Sequence, residues 1–139
     1  MSVQARMDNT TTPLITSGFS YTKNGIIAQD GARATTLYGN TVMSYDATTK
    51  KWSPTGAQMW PHGIYVGDDI PAADLVAGDI EDCAILIGGC CTVDADMVVY
   101  DGNAIDEDTA IFGFFAVWAI LSSYGIFIET GVAISGFEN

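Results

Sequence analysis

Apolar and polar positions change rhythm twice along this chain. From Thr35 the pattern is one of short runs punctuated by turn residues. "TTLYGNTVMSYDATTKKWSPTG" reads as a strand, a Gly-Asn turn, a second strand, a polar turn at "DATTKK" and a short strand ending at Pro54. "GIYVGDDI" is a further strand stopped by Gly-Asp-Asp, and "PAADLVAGDIEDC" reads as a connection. "CAILIGGC" is a continuous apolar run of strand length, and "TVDADMVVYDG" alternates before an Asp-Gly turn. "GIFIETGVAISGFEN" supplies a last strand. The pattern predicts a mainly β fold, a small compact antiparallel β-domain.

"IDEDTAIFGFFAVWAILSSYG" interrupts the strand rhythm and predicts one short buried α-helix. Asp106, Glu107 and Asp108 sit where the positive end of a helix dipole favours acids; Asp108 or Thr109 can cap, and Gly125 is placed to stop it. Ile111, Phe114, Phe115, Trp118 and Leu121 recur at spacings of three and four. Phe112, Val117, Ile120 and Tyr124 make the other side apolar too, so the helix needs a second cover, most simply a neighbouring subunit. Before Thr35 apolar residues are isolated among Thr, Ser, Asn and Gly, which predicts an extended N-terminal arm over residues 1–33 and a β-rich domain over 34–139. The arm is expected to be mobile until a partner orders it, with "FSYTKNGIIA" carrying strand-forming residues around an Asn-Gly turn.

Length and composition fit one domain: 139 residues, 48% hydrophobic. Charge divides it. The first 51 residues carry all five Lys and Arg against Asp8, Asp30 and Asp46, a balance of 5 − 3 = +2; the remaining 17 − 3 = 14 acids follow with no Lys or Arg. A body this acidic repels phosphate backbones and anionic headgroups, so neither nucleic acid nor membrane is an expected partner. "AIFGFFAVWAIL" is too short to span a bilayer, which takes about 20 residues. "MSVQARMDNTTTPL" has no apolar core for a secretory leader, so synthesis in a cytoplasm with reduced thiols is expected.

The densest chemistry lies in "DIEDCAILIGGCC", which holds all three cysteines. Spacings of seven and one do not match C-x-x-C zinc or redox pairs, and adjacent Cys90 and Cys91 would point to opposite faces of a strand. They read as small buried hydrophobes. The acids of "DADMVVYDGNAIDED" lack the EF-hand spacing and read as a solvated rim, so no metal and no cofactor is expected. His62 is the only histidine and lies at a turn entering a strand, and no Lys follows position 51 to complete a phosphate loop. No catalytic residue is assigned and an enzyme is not expected.

The order of four segments resembles the lambda-type head decoration proteins of tailed phages: "GNTVMSYDATTKKWSP", "PHGIYVGDDIPA", "GDIEDCAILIGGCCTVDADMVVYDG" and "AVWAILSSYGIFIETG". The resemblance spans about Tyr38 to Gly131 and rests on small, apolar and turn residues. It implies a structural protein that binds the major capsid protein on the outside of an expanded icosahedral head. There it would sit as a homotrimer at three-fold and quasi-three-fold positions. It also implies a virion location and an arm that orders on the lattice, often by adding a strand to a capsid-protein sheet. On that reading Arg6, Thr11, Leu14, Phe19, Tyr21, Lys23, Ile26 and Arg33 belong to the capsid-binding arm, while Ile111, Phe115, Trp118 and Leu121 lie in the core or the trimer seam. Removing residues 1–33 is then expected to abolish docking and leave a folded trimer. The alternative is a phage fibre or carbohydrate/receptor-binding module, with Trp52, Trp60, Tyr65 and Tyr100 as aromatic platforms.

Overall fold

Strand β5 (Ile80–Asp94) organises the molecule, because both of its edges are paired. In the computed structural model, which describes residues 14–106 and 108–129, β1 (Ile15–Ile27) runs antiparallel along one edge from Ile15↔Val93 to Ile27↔Ile80. The opposite edge is shared by β4 (Gly63–Tyr65), antiparallel, and β10 (Ile126–Glu129), parallel. β2 (Thr41–Asp46) then pairs with both β4 and β3 (Lys51–Pro54). β6 (Val99–Tyr100) and β7 (Asn103–Ala104) extend the sheet past β2 to eight strands.

Alternation along these strands builds two apolar layers. Val42, Ile64 and Leu86 stand in register across β2, β4 and β5 and enter one cluster with Cys91, Val93, Val117, Leu121, Ile126 and Ile128. Displaced by one residue, Tyr65 and Ile85 are paired on the other face, within a cluster that includes Ile27, Leu37, Met43, Trp52, Leu75 and Cys83. Helix α1 (Ala72–Ala77) contributes Leu75 to this second layer, and α2 (Val117–Ser122) contributes Val117, Ile120 and Leu121 to the first. Each fully buried Leu or Ile side chain contributes about 1.5–3 kcal/mol through removal from water, so layers on both faces stabilise a sheet of short strands.

The fold is mainly β, as the pattern of short runs predicts, and its finer parts differ from expectation. The sheet is mostly antiparallel, as expected, with β1–β3, β2–β6 and β10–β5 as parallel pairs. Two short α-helices occur among the described residues, since "PAADLVAG" folds into α1 behind Pro71. The short helix expected over the aromatic segment covers only its later part, α2. Phe112 and Gly113 adopt left-handed φ angles of 52° and 83°, which end a helix, and β8 (Ala110–Ile111) and β9 (Phe115–Ala116) form a hairpin around them. Asp106 serves a turn, its carboxylate accepting from the Asp108 N–H and the Thr109 hydroxyl.

Asn24-Gly25 is likewise a continuing strand, with Asn24 opposite Ala84 and Gly25 opposite Cys83. Leu14 and Ile27, at the two ends of β1, are buried in different layers. Loss of residues 1–33 would therefore open both layers, so the expected folded truncation does not follow. Arg6 and Thr11 lie outside the described residues.

Gly18, Gly89 and Gly125 meet where β1, β5 and β10 converge, all at positive φ. A Cβ on Gly89 would stand 2.6 Å from the Phe19 carbonyl oxygen, and one on Gly125 would collide with the Gly89 carbonyl. Gly125→Ala is expected to lower stability by about 2 kcal/mol or more, combining left-handed strain with the clash. Gly102→Ala, with φ of 82° and open space around it, should cost about 1 kcal/mol. Urea unfolding midpoints measure both, and equal losses would contradict the steric argument.

Candidate functional site

Two exposed features stand out against a body whose depressions are small. The best-formed of these among the described residues are a cleft of about 60 Å³ beside Arg33, Tyr38 and Asp101 and an open groove of about 200 Å³ beside Asn24, Gly25, Glu81 and Asp82. Both fall short of the roughly 300 Å³ of a small-molecule site. No group of three or more His, Cys, Asp or Glu side chains assembles as a metal-ligand set among the described residues.

The first feature is the outer edge of β1. Its inner edge is paired with β5, but outward it meets another strand only at Ile27↔Trp52, so Ile15 to Ile26 present unpaired main chain among the described residues. Ser17 to Asn24 are exposed throughout. Phe19 and Tyr21 are 74% and 66% exposed, an uncommon placement for large aromatics on an edge strand. Cys90, opposite Phe19, is exposed as well. Of the eight residues assigned to the arm, Phe19, Tyr21 and Lys23 lie on this exposed strand, Ile26 is half-buried and Leu14 is buried. Arg33 lies beyond the strand, its guanidinium donating to the carbonyls of Thr35 and Thr36.

The second feature is an aromatic corner built from distant segments. Phe112, Phe114 and Phe115 crown the β8–β9 hairpin, and Trp60 packs edge-on against Phe115 at 5.5 Å. Ser44 on β2 donates to the Trp60 carbonyl at 2.6 Å, which leaves Thr55 as the donor in the buried Ser44–Thr55 hydroxyl pair. The Phe112 N–H donates to the Ala57 carbonyl, while Trp60 Nε1 donates to the Tyr124 hydroxyl and that hydroxyl donates to Pro61. Phe114 remains 73% exposed.

Four residues had been assigned to core or seam, and they divide. Ile111 and Leu121 are fully buried, and Trp118 is half-buried with Nε1 donating to the Ile128 carbonyl; Phe115 belongs to the exposed corner. The corner's dependence on Trp60 was not visible in the sequence, although Gly113 between aromatics in "IFGFF" was a signal for a turn. The proposed sugar platforms do not come together. Trp52 and Tyr65 are buried in the second layer, where Trp52 packs on Tyr45 at 5.1 Å, and Tyr100 is packed against the first layer; Trp60 alone of the four is exposed.

No known protein family matches the chain, and no characterised protein matches it in sequence.

Titratable groups are tied to structure. Burial raises the pKa values of the Cys83 and Cys91 thiols, which keeps both protonated. The two cysteines sit in opposite apolar layers. The Tyr65 phenol is pushed up to about 12, chiefly by burial and then by Cys83, Asp68 and Asp69; its hydroxyl donates to the Asp68 carbonyl at 2.6 Å. Asp79 is held below the usual carboxylate range by its hydrogen bond from Lys51, at 2.7 Å, and by the Gln29 N–H.

His62 Nδ1 accepts the Tyr45 N–H at 2.9 Å, which places the proton of the neutral ring on Nε2. Burial lowers its pKa from the ordinary 6.5. The unfolded chain therefore takes up this proton more readily. The histidine's contribution to stability is fully present above pH 6.5 and is lost as pH falls from there through the lowered folded value. Thermal unfolding between pH 7.5 and 5 should show a smaller acid-induced drop in His62→Asn, whose amide oxygen can still accept from Tyr45, than in the parent chain. An identical drop in both would remove His62 as a source of acid sensitivity.

Proposed function

We propose that this chain is a structural capsid decoration protein of the lambda-type phage head group, without chemistry of its own. It binds the major capsid protein on the outer surface of the expanded icosahedral head, as a homotrimer at three-fold and quasi-three-fold positions, and stabilises the shell by bridging neighbouring subunits. The observation that carries this reading is the outer edge of β1, unpaired from Ile15 to Ile26 among the described residues, with Phe19 and Tyr21 exposed upon it. A free edge takes up an extended partner segment through main-chain hydrogen bonds, with specificity supplied by side chains at alternate positions.

Edge strands in soluble proteins are usually shortened, charged or covered, and Lys23 is the only charged residue from Ile15 to Ile27. A strand partner from the capsid would satisfy the main chain and bury the two rings. The acidic remainder, from Trp52 to Asn139 without Lys or Arg, fits a body that faces solvent and resists non-specific association. Three copies of the edge on one trimer raise the effective concentration of each, so weak single contacts suffice for stable decoration.

The double variant Phe19→Asp, Tyr21→Asp tests this without disturbing either apolar layer, because both rings are exposed. Co-sedimentation with expanded empty capsids is expected to show affinity reduced by about 100-fold or more, with the unfolding midpoint close to that of the parent. Undiminished sedimentation of the variant would remove β1 from the docking surface. Failure of the parent chain to saturate a fixed set of lattice sites would overturn the decoration role itself.

A further inference from the structure

We infer that the aromatic corner formed by Trp60, Phe112, Phe114 and Phe115 is the seam between copies of this chain, with Phe114 inserting toward the symmetry axis. This rests on the homotrimer reading above and assigns its contact surface, which the fold had not been expected to form in this way.

Charge indicates what covers the corner. The body carries fourteen acids after Trp52, yet residues 52–67 and 109–128 contain no Asp, Glu, Lys or Arg. The fold brings these two uncharged stretches together through the Phe112–Ala57 and Trp60–Tyr124 hydrogen bonds and the Trp60–Phe115 packing. The result is an exposed aromatic surface built from segments without Asp, Glu, Lys or Arg in a strongly anionic body. A cationic partner would find no carboxylate in the segments that build it. Another copy of the chain, equally anionic, can approach without charge repulsion only through such a surface, and it presents the same uncharged rings in return.

Local geometry supports the same assignment. Phe112 holds φ at 52°, a left-handed conformation unfavourable for a non-glycine residue, and the adjoining Gly113 lies at 83°. The strained turn presents Phe112 and Phe114 outward, while Ile111 immediately before it is fully buried. Interface cores are depleted in charge and enriched in aromatic residues, and Trp is prominent among their strongest contacts. Around a three-fold axis the same residue of each copy meets its counterparts only where it lies at the axis, so mutual contact of these corners would set three Phe114 rings together there.

Sedimentation velocity of the full chain across a dilution series, with Trp emission recorded in parallel, tests the assignment. The parent is expected to sediment as a trimer and to show a red shift on dilution as Trp60 becomes hydrated. Phe114→Asp should raise the concentration for half-assembly by about 100-fold or more with unchanged circular dichroism. Phe127→Asp, a change at an exposed ring outside the corner, should remain trimeric. A trimeric Phe114→Asp would place the seam elsewhere and leave the homotrimer standing. A parent that stays monomeric throughout would overturn the homotrimer and the seam together. Should Phe114→Asp fail to fold, the parent's own emission decides: dissociation without a red shift would overturn the inference.

Discussion

Two-sided pairing of β5 is the constraint on which the rest of the structure depends. β1 occupies one edge, and β4 and β10 divide the other, pairing with Ile85–Leu86 and with Cys91–Asp94 respectively. Its alternating side chains serve both apolar layers at once, with Ile85 and Cys83 on one face and Leu86, Cys91 and Val93 on the other. Three glycines at positive φ make the convergence of β1, β5 and β10 possible, because an added Cβ at any of them would meet a neighbouring carbonyl. The segment "DIEDCAILIGGCC" is thus the central strand of the sheet. Its glycines shape that strand, and its cysteines occupy ordinary strand positions, two inside and one at the surface.

Electrostatics and packing have been separated along the chain. Many acids of the body sit at exposed turn, helix and strand-flanking positions: Asp68 and Asp69 after β4, Asp74 in α1, Asp101 in the β6–β7 turn, and Asp106 and Asp108 before β8. There they are solvated, and several accept hydrogen bonds from nearby main-chain N–H groups, as Asp69 does from Gly39 and Asp106 from Asp108. The uncharged stretches fold into the interior and into the aromatic corner. A chain of net charge −12 can in this way remain compact and still offer a surface to which another apolar surface can bind.

The two exposed features differ in what they offer a partner. The β1 edge offers main chain, which any extended segment of suitable length can match. The aromatic corner offers shape and apolar area, which require a complementary surface. On the proposed reading the first meets the capsid lattice and the second meets sister copies, so assembly and docking use different kinds of interaction.

Alternating and continuous apolar runs determined the mainly β class and the existence of β2, β3, β4, β5 and β10, because a period of two is a local property that needs no knowledge of neighbours. The uneven charge was legible for the same reason; of the three cysteines expected to be buried, Cys83 and Cys91 are, while Cys90 is exposed because it faces outward opposite Phe19. Tertiary structure decided the remainder. Ile111 to Leu121 satisfy helical spacing, yet the Phe112 N–H finds the Ala57 carbonyl and Trp60 packs on Phe115, contacts across some fifty positions that favour a hairpin over the helix. β1 is polar and isolated in sequence, and it becomes a strand because β5 supplies the pairing partner along its length. Whether Trp52 or Trp60 reaches solvent likewise depends on which layer lies beneath it, since identical side chains carry no local mark of the face they occupy.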